Sequence, residues 1–343
     1  MKKLLNTLYI TSENSYLGLD GENIVVYEDQ KETGRVPLHN LDGVISFGYR
    51  GTSPALMGAC MQRNIPICYL SPQGNFLARV TGKIRGNVLL REQQYAGSKD
   101  ETISLEIAKN CITGKVYNAR WVLERAIRDH GMQIDVDKVR EASVQLKNSL
   151  DYIQNAESKD QLRGYEGEAA SVYFGVFSEL ILQQKRDFVF QGRNKRPPLD
   201  NVNAMLSFVY TLLTNQIVSV LEVVGLDPYV GYLHTDRPGR ASLALDLIEE
   251  FRSVYADRFV LSLINKKIVK ASNFSKKENG AVMMDDELRK KILIEWQNKK
   301  KEVITHPFLK EKVEWGMLPY VQAMLLARYL RGDLDGYPVF LWK

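Results

Sequence analysis

The sequence predicts an α+β protein, with a small N-terminal antiparallel β domain followed by a larger, mostly α-helical domain. In the first 95 or so residues, short alternating apolar runs are separated by turn dipeptides such as Asp20-Gly21, a pattern typical of antiparallel strands. From about residue 102 onward, apolar residues recur at helical spacing instead. We therefore assign 1–95 to a β-rich domain and 96–343 to a helical domain.

The predicted elements follow this division in order. In the β domain, Ser53 and Pro54 form an N-cap and first helical position, so one short helix to about residue 63 interrupts strands predicted at 8–10, 16–19, 24–27, 44–47, 65–70 and 76–80. In the second domain, a first helix ends at Gly131. A small hairpin is expected near 273–284, and further helices are predicted at 136–156, 160–182, 199–224, 241–262, 285–302 and 315–331.

Composition excludes several classes of protein. At 343 residues the chain is long enough for two domains with their own cores. Its three cysteines form no CxxC pair, which argues against a disulfide framework or zinc finger and favours core thiols in a reducing compartment. We find no run near the roughly 18 apolar residues of a membrane span, and the N-terminal apolar stretch is too short for an export signal. A cytoplasmic protein without membrane contact is expected.

The segment GYLHTDRPGRASLALDLIEEFR, residues 231–252, has the residue types of a metal site. Asp246 and Glu249 are three apart and so share one face of a helix, and the preceding Pro-Gly turn allows His234 to fold back over that face. Either carboxylate is a possible ligand on spacing alone, and Glu168 and Glu250 are the nearest competing candidates. A lone histidine in this setting is more often structural, and only the surrounding motif favours a ligand.

A third ligand is expected from GYEGEAA, residues 164–170, where small residues recur every three positions. Such a face allows a second helix to approach closely, and Glu166 would then lie at a crowded packing junction. A helical glutamate is ordinarily solvated. Exposed glycines in a helix are unfavourable by about 1 kcal/mol relative to alanine, which favours a packed frame here.

Basic residues cluster beside these candidate ligands, although the net charge is only +5. One cluster precedes Pro197-Pro198, and a second flanks the Pro-Gly turn after His234. Either cluster suits a phosphate backbone brought to a reactive centre, while a solvated loop explains the first equally well. The candidate DNA-binding residues are Arg193, Lys195, Arg196, Arg237 and Arg240.

Three motifs in order give a family resemblance. The segments LRGYEGEAASVYF, RPPLDNVNAMLSFVYTLL and GYLHTDRPGRASLALDLIEEFR resemble the CRISPR-associated Cas-one family, the catalytic subunit of spacer acquisition. The resemblance extends over the whole chain, from LNTLYITSENSYLGLDGENIVV to QAMLLARYLRGDLDGYPVFLWK. It implies a DNA endonuclease and integrase, in which the 3′-hydroxyl of a prespacer attacks a phosphodiester of the CRISPR repeat.

The resemblance also implies the ligand set and the partners. In the family pattern the metal-binding acidic residue lies three positions after the aspartate, which selects Glu166, His234 and Glu249 as ligands and leaves Asp246 as a supporting group or occasional second-metal ligand. Two carboxylates and one imidazole suit Mn²⁺ or Mg²⁺, with the imidazole favouring Mn²⁺. The resemblance further implies a homodimer whose subunits meet through the β domain. This homodimer binds a dimer of the Cas-two protein and double-stranded DNA.

Two other functions use the same residues. One is a structure-selective DNA endonuclease without an integration role, and the other is a non-catalytic nucleic-acid-binding scaffold, which would be favoured if a ligand position were substituted. A dinucleotide-binding or Walker enzyme is excluded, because the sequence has neither GxGxxG nor GxxxxGK[ST] after a strand.

Overall fold

The computed structural model describes residues 6–71, 76–82, 88–194 and 197–343. Its contacts divide the chain into two compact units, one of Met1–Gly86 with Met284–Glu302 and one of Asn87–Met283 with Val303–Lys343. The predicted boundary near residue 95 therefore lies inside a helix of the second unit, and the first unit also receives a helix from late in the chain. The succession of elements along the sequence could not indicate that return.

The described residues of the first unit form two sheets. The strands β2 (Ser15–Asp20), β3 (Asn23–Glu28) and β4 (Lys31–Pro37) form the expected antiparallel meander. The other sheet has the order β1-β5-β6-β7 and includes β1 (Thr7–Ile10), β5 (Gly43–Phe47), β6 (Ile67–Leu70) and β7 (Phe76–Val80). In it β5 pairs parallel with both β1 and β6. The β2–β4 meander lies between β1 and β5 in the chain, and the helix α1 (Pro54–Gln62) is the crossover between β5 and β6.

Local sequence signals account for the start of α1 and for the packing of this unit. The Ser53 hydroxyl accepts the Leu56 N–H at 3.2 Å, and Pro54 stands at the first helical position, as predicted. Leu17, Ile24 and Leu56 are fully buried in the core between the elements. The helix contributed by the late segment is α9 (Asp286–Lys301), whose Lys300 ammonium donates to Thr7 Oγ1 at 2.8 Å.

The second unit is helical. Side-chain caps from Asp100, Asp135, Ser158 and Asp200 accept backbone N–H groups at four of its helix starts. Its helices are α2 (Val88–Lys99), α3 (Glu101–His130), α4 (Val136–Gln154), α5 (Lys159–Gly175), α6 (Asn201–Val224), α7 (Ser242–Ile248), α8 (Arg258–Asn265) and α10 (Leu318–Leu330). Two short hairpins pair β8 (Phe274–Lys276) with β9 (Val282–Met284), and β10 (Val303–Thr305) with β11 (Lys312–Glu314).

Helix α6 corrects the expectation that no segment approaches the length of a membrane span. It has 24 residues and, by length and composition, is long and apolar enough to cross a membrane. However, 67% of its most apolar window is buried inside the protein, and Asn203 within it is fully buried and hydrogen-bonded to Asp200 and Gly192. Both features are those of a core helix.

The predicted continuous helix at 241–262 is divided in the structure. Helix α7 ends at Ile248, and a six-residue π-helix, Arg252–Asp257, precedes α8. The Phe251 carbonyl accepts N–H groups from both Tyr255 (2.9 Å) and Ala256 (3.3 Å), which is how the turn widens. Glu249 therefore lies in the turn after α7 rather than on one uninterrupted face with Asp246.

Candidate active site

Asp246 holds the loop that carries His234. Its Oδ2 accepts the N–H groups of Tyr232 (2.6 Å) and Leu233 (3.1 Å), and its Oδ1 accepts the His234 N–H (3.0 Å) and lies 2.7 Å from His234 Nδ1. Gly231 allows this approach, because a Cβ there would lie 2.8 Å from Asp246 Oδ2. In a neutral imidazole whose Nδ1 donates to a carboxylate, the other ring nitrogen is the one able to bind a metal.

Glu166 and Glu249 converge on one lysine. The Lys115 ammonium, from α3, contacts Glu166 Oε1 on α5 and lies 2.9 Å from Glu249 Oε2. The other oxygen of Glu249 lies 3.0 Å from Arg252 Nε. Burial alone would raise the pKa of Glu249, but the positive charges of Arg252 and Lys115 lower it to about 2. Glu249 is therefore an ionised carboxylate in a buried position.

The sequence reasoning missed Lys115. Burial by itself would lower the pKa of this lysine, but Glu249 and Glu166 raise it, so the ammonium is charged. The preceding Gly114 brings α3 close to the 249–251 turn, since a Cβ at that position would lie 3.2 Å from Glu250 Cγ. A lysine after a glycine among the buried residues Cys111, Ile112 and Val116 was the signal that could have indicated it.

The donor set fits a divalent cation, although the described residues include no group of three His, Cys, Asp or Glu side chains already arranged around one point. Glu249 Oε2 is buried, and its ion-pair partner is the Lys115 ammonium at 2.9 Å. Ionised oxygens of this kind, with an imidazole nearby, suit Mn²⁺ or Mg²⁺. The ligand set Glu166, His234 and Glu249 remains a prediction.

The predicted close approach of a helix at the glycine face beside Glu166 is wrong. A Cβ at Gly164 or at Gly167 would meet no heavy atom of the described chain within 4 Å, and both residues are exposed. The Glu166 side chain is itself 29% exposed. The helices α4 and α3 both contact α5, and α3 supplies the Lys115 ammonium that contacts Glu166. The glycines instead leave open surface beside the carboxylate.

The candidate DNA-binding residues have different surroundings. The Arg193 guanidinium donates to Asn203 Oδ1 (2.7 Å) and Ser207 Oγ (3.1 Å) and lies over the Tyr210 ring. Arg237 is exposed, and Arg240 donates to Thr235 in the loop after His234. Lys195 and Arg196 lie outside the described residues. Phosphate contact by these five side chains remains a prediction.

Glu250 has a structural environment that the sequence did not reveal. It is fully buried and accepts hydrogen bonds from Gln322 Nε2 (2.8 Å), the Tyr337 hydroxyl and the Phe340 N–H (2.8 Å). Burial raises its pKa to about 7 against the opposing effect of these hydrogen bonds. The glutamate thereby ties the C-terminal segment to the 249–251 turn.

Comparison with known proteins gives the family. A model of the family described as CRISPR associated protein Cas1 matches residues 8–298. The CRISPR-associated endonuclease Cas1 2 of Rhodospirillum rubrum is 52% identical over 347 residues, covering 100% of both chains. The chain belongs to the Cas1 family. A second Cas1 endonuclease, Cas1 1 of Chlorobaculum tepidum, is 48% identical over 345 residues, again covering 100% of both chains.

Solved structures share the Cas1 fold. A casposase bound to an integration product has a TM-score of 0.82 at 24% identity and covers 96% of this chain and 92% of that one. A Cas1 protein from Thermotoga maritima has a TM-score of 0.80 at 21% identity, with coverage of 98% and 100%. The predicted α+β class, a β-rich N-terminal part followed by a helical part, is thus confirmed.

Proposed function

We propose that this Cas1 protein is a divalent-metal-dependent DNA endonuclease and integrase of CRISPR adaptation. The observation that supports it most is the convergence of Glu166 and Glu249 on one cation, Lys115, in a chain where Asp246 orients His234. Two relatives that match the full chain are named endonucleases, and the casposase of similar fold is bound to an integration product.

Each side chain of the site has a distinct part in this chemistry. Glu166, Glu249 and His234 would hold Mn²⁺ or Mg²⁺, which polarises a phosphodiester and stabilises charge on the attacking and leaving oxygens when bound. Asp246 keeps the His234 ring in one orientation and tautomer. Arg252 keeps Glu249 ionised. The attacking group is the 3′-hydroxyl of prespacer DNA in integration and water in hydrolysis.

The proposal includes the partners. Arg237 and Arg240, on the loop after His234, together with Arg193, Lys195 and Arg196, would contact the phosphates of duplex DNA. We further propose a homodimer that binds a Cas2 dimer in the cytoplasm. A solved Cas6-RT-Cas1–Cas2 complex shares the fold with a TM-score of 0.82 at 22% identity, and it covers 100% of this chain and 37% of that one.

Strand transfer into a supercoiled plasmid carrying a repeat array tests the proposal. With Cas2, prespacer DNA and Mn²⁺, we expect wild-type protein to join prespacer ends to the repeat, and Glu166→Ala, His234→Ala and Glu249→Ala each to abolish joining and cleavage. Glu168→Ala is the matched control, because Glu168 lies two residues from Glu166 on the same helix and is exposed.

The same assay separates the other functions. Cleavage without joined product would indicate an endonuclease that lacks the integration role. Binding of DNA without either product would indicate a scaffold. A ligand variant that kept near-wild-type turnover with clean Mn²⁺ dependence would contradict the assigned ligand set.

A further inference from the structure

We propose that Lys115 occupies the cation position of the metal-free site and that a divalent ion must displace its ammonium to bind. This inference rests on the proposed function, because it concerns the same carboxylates. It assigns Lys115 as a positioning residue that keeps Glu166 and Glu249 facing one point while no metal is bound, and that sets how tightly the site takes a metal.

Three elements of the chain meet at the Lys115 ammonium. Lys115 comes from α3, Glu166 from α5 and Glu249 from the turn after α7, so three separate elements meet at one ammonium. The lysine side chain is only 16% exposed and that of Glu249 only 5%. Little solvent screens the pair, and two carboxylates brought together here repel each other unless a cation lies between them.

The Lys115 ammonium and a divalent metal ion cannot both lie between these carboxylates. A divalent ion bound by Glu166 and Glu249 would stand within a few ångströms of the ammonium that now contacts both, and like charges at that distance repel strongly in a poorly solvated site. The Arg252 guanidinium pairs with the other oxygen of Glu249, Oε1, at 3.0 Å, so it leaves Oε2 to the ammonium. Removal of the Lys115 charge should therefore strengthen metal binding. If the ion pair were purely structural, the same removal would loosen the site and weaken metal binding.

Manganese titration by calorimetry without DNA tests this, on wild type, Lys115→Met and Lys115→Arg. We expect Lys115→Met to bind Mn²⁺ at least about tenfold more tightly than wild type, and Lys115→Arg to bind no more tightly. Lys109→Met is the matched control on the same helix, because the Lys109 ammonium donates to the Gln154 carbonyl. It should leave the affinity unchanged.

Melting curves give a second readout independent of activity. Without metal, Lys115→Met should melt at a lower temperature than wild type, because the two carboxylates lose their shared counterion. Added Mn²⁺ should then raise its melting temperature by more than it raises that of wild type. If Lys115→Met does not fold without metal, Mn²⁺ must restore folding to it or to Lys115→Gln; failure in both overturns the proposal.

Failure of the Lys115 displacement and failure of the metal site give different results. If wild type binds Mn²⁺, Glu166→Gln weakens that binding and Lys115→Met binds with equal or lower affinity, the displacement is wrong and the metal site stands. If neither wild type nor Lys115→Met binds Mn²⁺, both are wrong. If only Lys115→Met binds, the displacement is supported directly.

Discussion

At the scale of residues, the two carboxylates near His234 differ in what their oxygens contact. Both oxygens of Asp246 accept hydrogen bonds from the 232–234 loop, whereas Glu249 Oε2 faces the Lys115 ammonium at 2.9 Å. A carboxylate that holds a metal-binding histidine acts through it, whereas a carboxylate oxygen that already faces a cation is the better direct ligand for a hard metal ion. The structure therefore adds a physical argument for Glu249 over Asp246.

The first prediction is that Glu249→Gln loses most Mn²⁺ affinity, because a neutral amide is a poor ligand for a hard cation. Asp246→Asn should reduce the affinity by roughly 10- to 100-fold and lower the melting temperature as well, because its new amide donors would face backbone N–H groups. Calorimetry with DNA bound, alongside thermal melting, measures both effects. Greater damage to metal binding from Asp246→Asn would move the direct ligand to Asp246.

Asp257 gives a pH-dependent stability. It is buried and accepts the Tyr210 hydroxyl at 2.5 Å. Burial raises its pKa from 3.8 to about 6, and the contacts with Tyr210 and Arg252 only partly oppose this. Because the folded-state pKa lies above the unfolded one, the native protein holds the proton more tightly, and the resulting stability is present below about pH 4 and lost as pH rises through 6.

We therefore predict that the melting-temperature advantage of wild type over Asp257→Asn shrinks as pH rises from about 4 to about 6. A shift of about two pKa units corresponds to roughly 3 kcal/mol over this range. Parallel melting curves of the two proteins across the interval provide the measurement. A difference that stayed constant, or widened with pH, would show that Asp257 does not titrate there.

At the scale of elements, two helical glycines have opposite surroundings. Gly114 on α3 faces the Val339 side chain and Glu250, whereas Gly167 on α5 faces open space within the described chain. The first glycine allows close packing of α3 against the site, and the second lies on a part of α5 that no described residue covers. Sequence spacing could not distinguish these two cases.

We predict that Gly114→Ala destabilises the protein by about 1–3 kcal/mol through overpacking. Gly167→Ala should stabilise it by about 1 kcal/mol, because alanine is the better helix former where nothing clashes. Chemical unfolding of both variants beside wild type gives the comparison. Equal effects of the two substitutions would mean that the surroundings of these glycines do not decide their roles.

The basic loop before Pro197-Pro198 contains Arg193, which is hydrogen-bonded within the protein, and Lys195 and Arg196, which lie outside the described residues. The hydrogen bonds of Arg193 to Asn203 and Ser207 indicate that it helps to hold the loop on α6. Burial also lowers its pKa, as expected of a guanidinium drawn away from water. Its contribution should therefore differ from that of Lys195 and Arg196.

Neutralising Lys195 and Arg196 together should flatten the slope of log affinity against log salt by about 0.9 for each duplex phosphate that the protein no longer neutralises. Arg193→Gln should chiefly lower the melting temperature. Salt titration of DNA binding, with the exposed Arg237→Gln as a comparison, separates the contributions. An unchanged slope for the double variant would assign both residues to solvent.

At the scale of the whole molecule, the β-rich unit has exposed apolar side chains that suit an interface. Tyr49 is 69% and Leu77 is 44% exposed, and both line one concave surface of this unit. Exposed aromatic and aliphatic groups gathered in one patch commonly mark protein contacts. The surface is consistent with the proposed dimer contact.

We predict that Tyr49→Asp or Leu77→Asp converts a dimer into a monomer at micromolar concentration without unfolding the chain, because both side chains are already exposed in a single copy. Light scattering after size-exclusion chromatography measures the mass. Met132→Asp is the control, since Met132 is fully exposed in the helical unit. A dimer that survived both substitutions would place the contact elsewhere.

The sequence by itself determined the features that depend on near neighbours. Turn dipeptides and alternating apolar residues gave the β2–β4 meander, and the cap at Ser53 gave the start of α1. The ordered motifs around Glu166 and His234 gave the family, which the comparisons confirm. These signals are legible because strand and helix periods relate residues only two to four positions apart.

Only the tertiary structure decided which distant residues meet. Lys115 and Glu166 are 51 positions apart, and α9 joins a unit whose first segment ends at Gly86. The widened turn after α7 sets Glu249 and Glu250 towards different partners. Such contacts depend on how helices pack and where a turn widens, and a repeat of two or 3.6 residues carries no information about either.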